Sequence, residues 1–472
     1  MSETQVIEFP DSLEWLNAPP QRLALARGRI ALVAVVSPGS AWCQNVIEQV
    51  RRLQGRHPEK LRAYVVLCAK FDAERDARLL GQWVSRLDIG LPVAHDPAFA
   101  FWRTMELRVW PTALVLDIDG RLHEMVVGDE RGLELEDAVA SLLDQHEGLM
   151  VSGEAPVFSR PQPRMPLRFP TALTLVDNSL FVADGGNHRV LECSLDGRIL
   201  RQFGSGNADL LDGRSGEAAF RRPAGLAQLR DALYVTDAGN HALRRISLHD
   251  GDVVTVLGTG RAGSTEGGSC REGQRYTLDL PAGICALQQR LYIANSAANQ
   301  ILELDLGQRE LSVLVGSGVL GLLDGEARAA VLAQPTGLCV SGQALFCADS
   351  AASAIRSIQP SGRQVSTLVG SGLFEFGNVD GPRAQARLQC PMALATDPAS
   401  ATLWIADTYN HALRHLRFGG DEVGTLAVSV RLHHPMGIAV GAGYLWVANT
   451  HAHEVLRVDV ASGEAWHVPI GE

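Results

Sequence analysis

A proline-headed unit that returns six times constrains this chain more than any other feature. It is clearest in PAGLAQLRDALYVTDAGNHALRRI, Pro223–Ile246. There a short apolar run is followed by a polar break, by a second run from Leu233 to Val235 ending at Asp237, and by the turn Ala238-Gly239-Asn240-His241, which opens a third. Asp250-Gly251 then turns into a fourth run, Val253–Leu257. Runs of this length bounded by turn residues predict four antiparallel strands joined by tight turns. Equivalent prolines stand at Pro170, Pro223, Pro281, Pro335, Pro391 and Pro435, so the spacings are 53, 58, 54, 56 and 44 residues. Four-stranded units at about this period predict the blades of a β-propeller, in which radial stacking buries both faces of every sheet. Six blades are expected over residues 166–472.

Residues 1–147 read differently, as alternating strands and helices. Arg29–Val36 is a continuous apolar run, the pattern of a central strand buried on both faces. Ser37-Pro38-Gly39-Ser40 ends it, and Val46, Ile47, Val50 and Leu53 share one face of a helix from Cys43 to Leu53. A second strand is expected at Arg62–Cys68, a helix from about Glu74 to Leu87, and a short helix around Phe99–Trp102. Trp110-Pro111-Thr112 opens a strand to Leu116, Asp119-Gly120 turns it back into Leu122–Val127, and a last helix spans Leu133–Gln145. Residues 148–165, which include Pro161 and Pro163, read as a linker.

Composition excludes several classes. A chain with 46% hydrophobic and 20% charged residues is an ordinary soluble globular protein. A formal charge of -11 opposes a nucleic-acid partner, which needs a clustered basic surface. Lys60 and Lys70 are the only lysines, and the arginine excess reads as compositional drift. The N-terminus lacks a basic segment followed by an apolar one, and no apolar run reaches the roughly 20 residues that span a bilayer, so no membrane partner and a cytoplasmic location are expected. The eight cysteines show neither Cys-x-x-Cys pairing nor metal-ligand spacing and read as buried free thiols. His188, His241, His411 and His453 recur in separate blades, too far apart to share a metal with bonds of about 2 Å, so they are expected to cap their own turns. No metal or cofactor is expected.

Four inter-blade loops share a second regularity. Each begins Gly-Ser-Gly or Gly-Thr-Gly, and three carry an Asp-Gly eleven residues before the next proline, at Asp212, Asp324 and Asp380. Glu266-Gly267 takes that place in the fourth. Ala218, Ala330 and Ala386 follow the aspartates by six residues, and Phe220, Leu332 and Leu388 by eight. These loops are expected to raise a ridge of acidic turns on one face, a candidate surface for a protein or small-ligand partner. The alternative is that Asp-Gly only shapes a turn while the apolar residue pins the loop.

The order of elements in the first 147 residues, with a cysteine at a helix start and Trp-Pro-Thr before a hairpin, resembles the thioredoxin fold. Asn187-His188, Asn240-His241-Ala242-Leu243 and Asn410-His411-Ala412-Leu413 are Asn-His-Leu signatures. Together with Leu13-Glu14-Trp15-Leu16-Asn17, Ala69-Lys70-Phe71, His95-Asp96 and Trp110-Pro111-Thr112, they make the chain similar to the NHL repeat-containing protein 2 family. That resemblance implies an α/β thioredoxin-like domain followed by an all-β six-bladed NHL propeller. It also implies a Cys-x-x-Cys whose cysteines fall at Ser40 and Cys43, with Trp110 and a cis Pro111 beside them. With serine at the first position, dithiol exchange should be lost. The expected function is a cytoplasmic interaction scaffold. The alternative is a thiol-dependent redox protein, a single-cysteine oxidoreductase or peroxiredoxin-like, using Cys43 alone.

Overall fold

The computed structural model describes residues 6–128, 132–151, 153, 156–158, 165–263, 267–269 and 276–471. It divides into two compact units, Met1–Pro163 and Arg164–Glu472.

The first unit is built on one mixed sheet. Its strands are β1 (Glu14–Trp15), β2 (Ile30–Val36), β3 (Leu61–Leu67), β4 (Val93–His95), β5 (Thr112–Leu116) and β6 (Leu122–Val127), and they lie in the order β1-β4-β3-β2-β5-β6. β2, β3 and β4 run parallel, while β1, β5 and β6 are antiparallel to their neighbours. All seven residues of β2 are buried, which explains why the run is apolar throughout. Helices α1 (Ala41–Arg56), α2 (Ala77–Leu87) and α4 (Gly132–Gln145) cover one face, and α3 (Ala100–Thr104) with the N-terminal segment covers the other.

Two details differ from the sequence expectation. The helix expected from Glu74 to Leu87 is split, because Asp72–Arg75 forms a 3-10 turn and the Asp76 carboxylate accepts the Arg78 N–H at 2.8 Å, starting α2 afresh. Strands β1 and β4 were not expected, being only two and three residues long. Asn17 fastens this edge, since its amide donates to the Leu91 carbonyl at 2.8 Å and accepts from the Val93 N–H at 2.8 Å. Among the described residues of 148–165, the N–H groups of Val151 and Phe158 donate to the carbonyls of Gly28 and Gly90 and so join the first unit. Pro161 and Pro163 fall outside the described residues.

The second unit is a six-bladed propeller. Each blade is an antiparallel sheet whose four main strands follow chain order, and in blades three, four and five a short strand from the preceding loop adds a fifth at the outer edge. Blade two, for example, has strands Pro223–Leu229, Ala232–Asp237, Ala242–Ser247 and Val253–Leu257. A buried apolar cluster fills every gap between neighbouring blades, including that between blades six and one. The first strands of adjacent blades crowd together: a Cβ at Gly283 would stand 2.0 Å from the Thr336 carbonyl oxygen, and one at Gly225 2.3 Å from that of Ala282. In blades two, three, four and six the residue two after the blade proline is glycine, as this close backbone approach requires, while blades one and five carry Ala172 and Ala393 there.

Blade one and blade six each own all four of their strands, so the ring closes without exchanging a strand. Side chains close it instead. The residue before each blade proline has a left-handed backbone, with φ from 46° to 56°, and its N–H is taken by a side chain of the preceding blade. His188 Nδ1 accepts from Arg222, His241 Nδ1 from Leu280, Asn299 Oδ1 from Gln334, Ser353 Oγ from Cys390, His411 Nδ1 from His434, and His453 Nδ1 from Phe169, at 2.9 to 3.2 Å. The last of these joins blade six to blade one. The histidines thus reach across to the next blade, where capping of their own turns was expected; the turn is closed by backbone bonds, as where His453 N–H donates to the Thr450 carbonyl, and in blades one, two and five also by the Asn187, Asn240 or Asn410 amide donating to the turn aspartate. A parallel set lies within each blade: Asp184, Asp237, Asn295, Asp349, Asp407 and Asn449 accept the N–H two residues before the proline.

A latch made by Nδ1 as acceptor requires a neutral ring. Burial, and then the Arg168 charge, lower the pKa of His453 below its ordinary 6.5. A group so shifted contributes stability that is present above about pH 6.5 and lost as the pH falls below it. Wild type should therefore lose more unfolding free energy between pH 7.5 and 5.5 than His453→Asn, which keeps an acceptor of the kind used at Asn299. The difference should be about 1 kcal/mol, the worth of one hydrogen bond, read from urea midpoints at the two pH values.

Candidate functional site

The loop between β2 and α1 gathers the residues expected to carry redox chemistry. Ser40 is the N-cap residue of α1, with an extended backbone at φ -103°, and Cys43 is the third residue of the helix. Cys43 is 0% exposed, and its Sγ accepts the Ser37 N–H at 3.2 Å. Trp110 packs against the core cluster that contains Cys43, lies with its ring 4.7 Å from that of Trp102 at a tilt of 38°, and is joined to Pro111 by a cis peptide bond. Cys68, also buried, lies 3.9 Å from an Asp96 oxygen. Burial first, then the Asp96 charge, push its thiol up, so it is no candidate nucleophile.

The residue that organises this loop was not anticipated. Glu74, fully buried in the 3-10 turn before α2, accepts N–H donors from Gly39 at 2.6 Å, Lys70 at 2.7 Å and Phe71 at 3.2 Å, and the Ser37 hydroxyl at 3.0 Å. Burial raises its pKa, while the four donors pull the other way. One carboxylate thus ties the Ser37–Gly39 turn to the stretch after β3 and sets the entry to α1. Gly39 must be glycine, since a Cβ there would sit 2.8 Å from the Phe71 ring.

In the propeller, the three loop aspartates have internal partners. Arg244, fully buried, bridges Asp237 at 3.0 Å and Asp212 at 2.9 Å. Arg356 joins Asp349 at 2.8 Å to Asp324 at 2.9 Å, and Arg414 joins Asp407 at 3.0 Å to Asp380. Each loop aspartate also takes the N–H and hydroxyl of a threonine in the outer strand, Thr255, Thr367 or Thr425. Burial pushes Asp237, Asp349 and Asp407 up to about 6 against the pull of their arginines. Asp324 is desolvated too, but the bonds from Thr367 and the Arg356 charge bring it below the usual carboxylate range. The expected ridge of acidic turns is thus, at these three positions, a set of shared ion pairs, and arginines read as compositional drift are its buried centres. Glu266 lies outside the described residues.

No protein-family model matches the chain. Over 98% of its length it is 31% identical to Protein SUPPRESSOR OF QUENCHING 1, chloroplastic, of Arabidopsis thaliana, of which it covers 47%. It is 28% identical to NHL repeat-containing protein 2 of Homo sapiens, over 99% of the chain and 72% of that protein, and 28% identical to that of Bos taurus, over 96% and 70%. The chain is thus similar over nearly its whole length to proteins named NHL repeat-containing protein 2 and to their plant relative. It spans about half the length of the plant relative and seven-tenths of the vertebrate ones. Among solved structures, it is similar to the Nidogen/Laminin complex, with a TM-score of 0.42 and 18% identity over 63% of this chain and 90% of that one. A Bacteroides thetaiotaomicron protein of unknown function gives 0.46 and 14% over 73% and 80%.

Within this NHL propeller, two sequence signals together would have found the buried arginines. Blades two, four and five carry an arginine seven residues after the turn aspartate, and they are the blades whose preceding loops carry Asp212, Asp324 and Asp380. Blade three has Asn295 and Leu302 at those places and lacks a loop aspartate. No comparable signal marks Glu74, one acid among several in Phe71–Arg78.

Replacing Glu74 by glutamine puts an amide NH₂ among N–H donors. Glu74→Gln should destabilise the first unit by about 2–3 kcal/mol, measured by urea unfolding, whereas substituting its exposed neighbour Asp72 should change stability by less than about 0.5 kcal/mol.

Proposed function

We propose that this chain is a cytoplasmic interaction scaffold, an NHL propeller joined to a thioredoxin-like domain whose dithiol has been lost. One observation carries the reading. Serine stands at residue 40, and the remaining thiol of the loop, Cys43, is 0% exposed. Disulfide exchange needs an accessible thiolate and a second thiol to resolve the mixed disulfide, and this loop offers neither. The mixed sheet, the cis Trp110-Pro111 bond and the position of Cys43 at the start of α1 support a thioredoxin-like ancestry. The single-cysteine alternative would require Cys43 to reach solvent.

The scaffold part draws on the inter-blade loops. In all three described Asp-Gly loops the residue before the anchored aspartate is an exposed aliphatic: Leu211 at 51%, Leu323 at 57% and Val379 at 48%. The ion pairs hold these side chains outward at equivalent places, which gives a protein partner repeated apolar contacts. A cytoplasmic setting agrees with the cysteines, since all seven described ones are buried and outside any disulfide. No helix among the described residues is long and apolar enough to cross a membrane.

The test is insulin reduction in dithiothreitol. Wild type and Cys43→Ser should both leave the rate at that of buffer, while Ser40→Cys, which restores Cys-x-x-Cys, should accelerate it. Reduction by wild type at the rate of the Ser40→Cys variant would contradict the loss of dithiol chemistry.

A further inference from the structure

The gap between blades two and three is filled by apolar side chains along most of its length, but at one end it opens into a cavity of about 460 Å³. This end holds the Leu229–Asp231 turn of blade two and the Leu306–Arg309 turn of blade three, and so lies opposite the histidine latches. Its volume is within the 300–1,000 Å³ range of small-molecule sites. The floor is apolar, formed by Leu304, 1% exposed, with Val256 and the ring of Tyr234.

The mouth carries three arginines, Arg230, Arg245 and Arg309, against one carboxylate, Asp231. Asp231 meets Arg245 at 3.7 Å and is 75% exposed. Among the described residues, neither Arg230 nor Arg309 has a carboxylate within ion-pairing distance. Three cations less one anion leave two positive charges over an apolar pocket, in a chain whose formal charge is -11.

The repeat shows that this charge is not a requirement of the fold. Arg245 pairs in register with Tyr234, and the same slot of the third strand holds Glu192 in blade one, Glu303 in blade three, Ser357 in blade four and His415 in blade five. Blade six has Arg457 there, held over the rings of Tyr444 and Trp466. At blade two the arginine is combined with a cavity and two further arginines at its rim.

We propose that this cavity binds a small amphipathic anion, a molecule with one carboxylate head and an aliphatic or aromatic body. The head lies at the mouth, where Arg230, Arg245 and Arg309 supply guanidinium donors of the geometry that suits a carboxylate. The body lies on Leu304, Val256 and the Tyr234 ring, and the Tyr234 hydroxyl, which interacts with Arg245, marks the border between the two.

The experiment uses the full chain with octanoate as the probe and 1-octanol and sodium sulfate as controls, followed by titration calorimetry and by the rise in unfolding midpoint. Octanoate should bind saturably, and both octanol and sulfate should bind at least about tenfold more weakly, because each lacks one half of the recognition. Arg230→Ser/Arg309→Ser should weaken octanoate by at least about tenfold without moving the midpoint of the free protein, since both residues are exposed. Should the double variant fold poorly, Arg309→Ser alone should give at least about a threefold loss. Absence of saturable octanoate binding, equal binding of octanol or sulfate, or undiminished binding by the variants would overturn the assignment.

Discussion

Each blade of this propeller begins by turning a backbone N–H out of its own sheet, and the structure depends on where that group finds its acceptor. The residue before the blade proline is left-handed, so its N–H points towards the neighbouring blade, and a buried N–H without a partner costs as much as a lost hydrogen bond. The preceding blade supplies the acceptor from the residue that closes the turn between its second and third strands, itself left-handed. Any side chain with an acceptor one or two atoms beyond Cβ meets the need. Imidazole does so four times, amide once and hydroxyl once. The histidine signature can therefore fade in blades three and four while the geometry persists. Closure between His453 and Phe169 is the sixth instance of the same bond, which is why no strand needs to be exchanged.

A second device works on the outside of three blades. A guanidinium that is 0–2% exposed must be paired on more than one side, because an isolated buried charge is prohibitively costly. One aspartate comes from the turn of its own blade and the other from the loop that runs in from the blade before. The loop is thereby pinned across the outer strand, where Thr255, Thr367 and Thr425 hold the second carboxylate oxygen. Lysine could not substitute, since its point charge lacks the fork that reaches both acids. The same economy holds in the first unit, where one carboxylate, Glu74, meets four donors at once.

What could be read from the sequence was whatever repeats or alternates. The six prolines and the strands behind them follow from a repeat of about 55 residues, and the buried β2 from an unbroken apolar run, so the blades and central strands were legible. The family resemblance, not spacing, implied that Trp110 and Pro111 stand beside Ser40 and Cys43. Contacts between residues distant in sequence were not legible singly: Asp324 and Arg356 are 32 positions apart, and Glu74 reaches Gly39 across 35. The short strand at Val93–His95 was hidden because three residues show no alternation, and it is held by pairing to Glu14–Trp15 and Val65–Leu67, both distant in sequence. The histidines were recognised as structural but given the wrong partner, because sequence reveals the turn and not the neighbouring blade.

The claim at the centre of this account is that the ring is closed between blades six and one by the same bond as everywhere else. Native-state hydrogen exchange at single-residue resolution tests it directly, by comparing the Phe169 amide with those of Arg222, Leu280, Gln334, Cys390 and His434. The account predicts that Phe169 exchanges within about tenfold of the other five. A Phe169 amide that exchanges at the rate of unfolded chain while the others remain protected would contradict it.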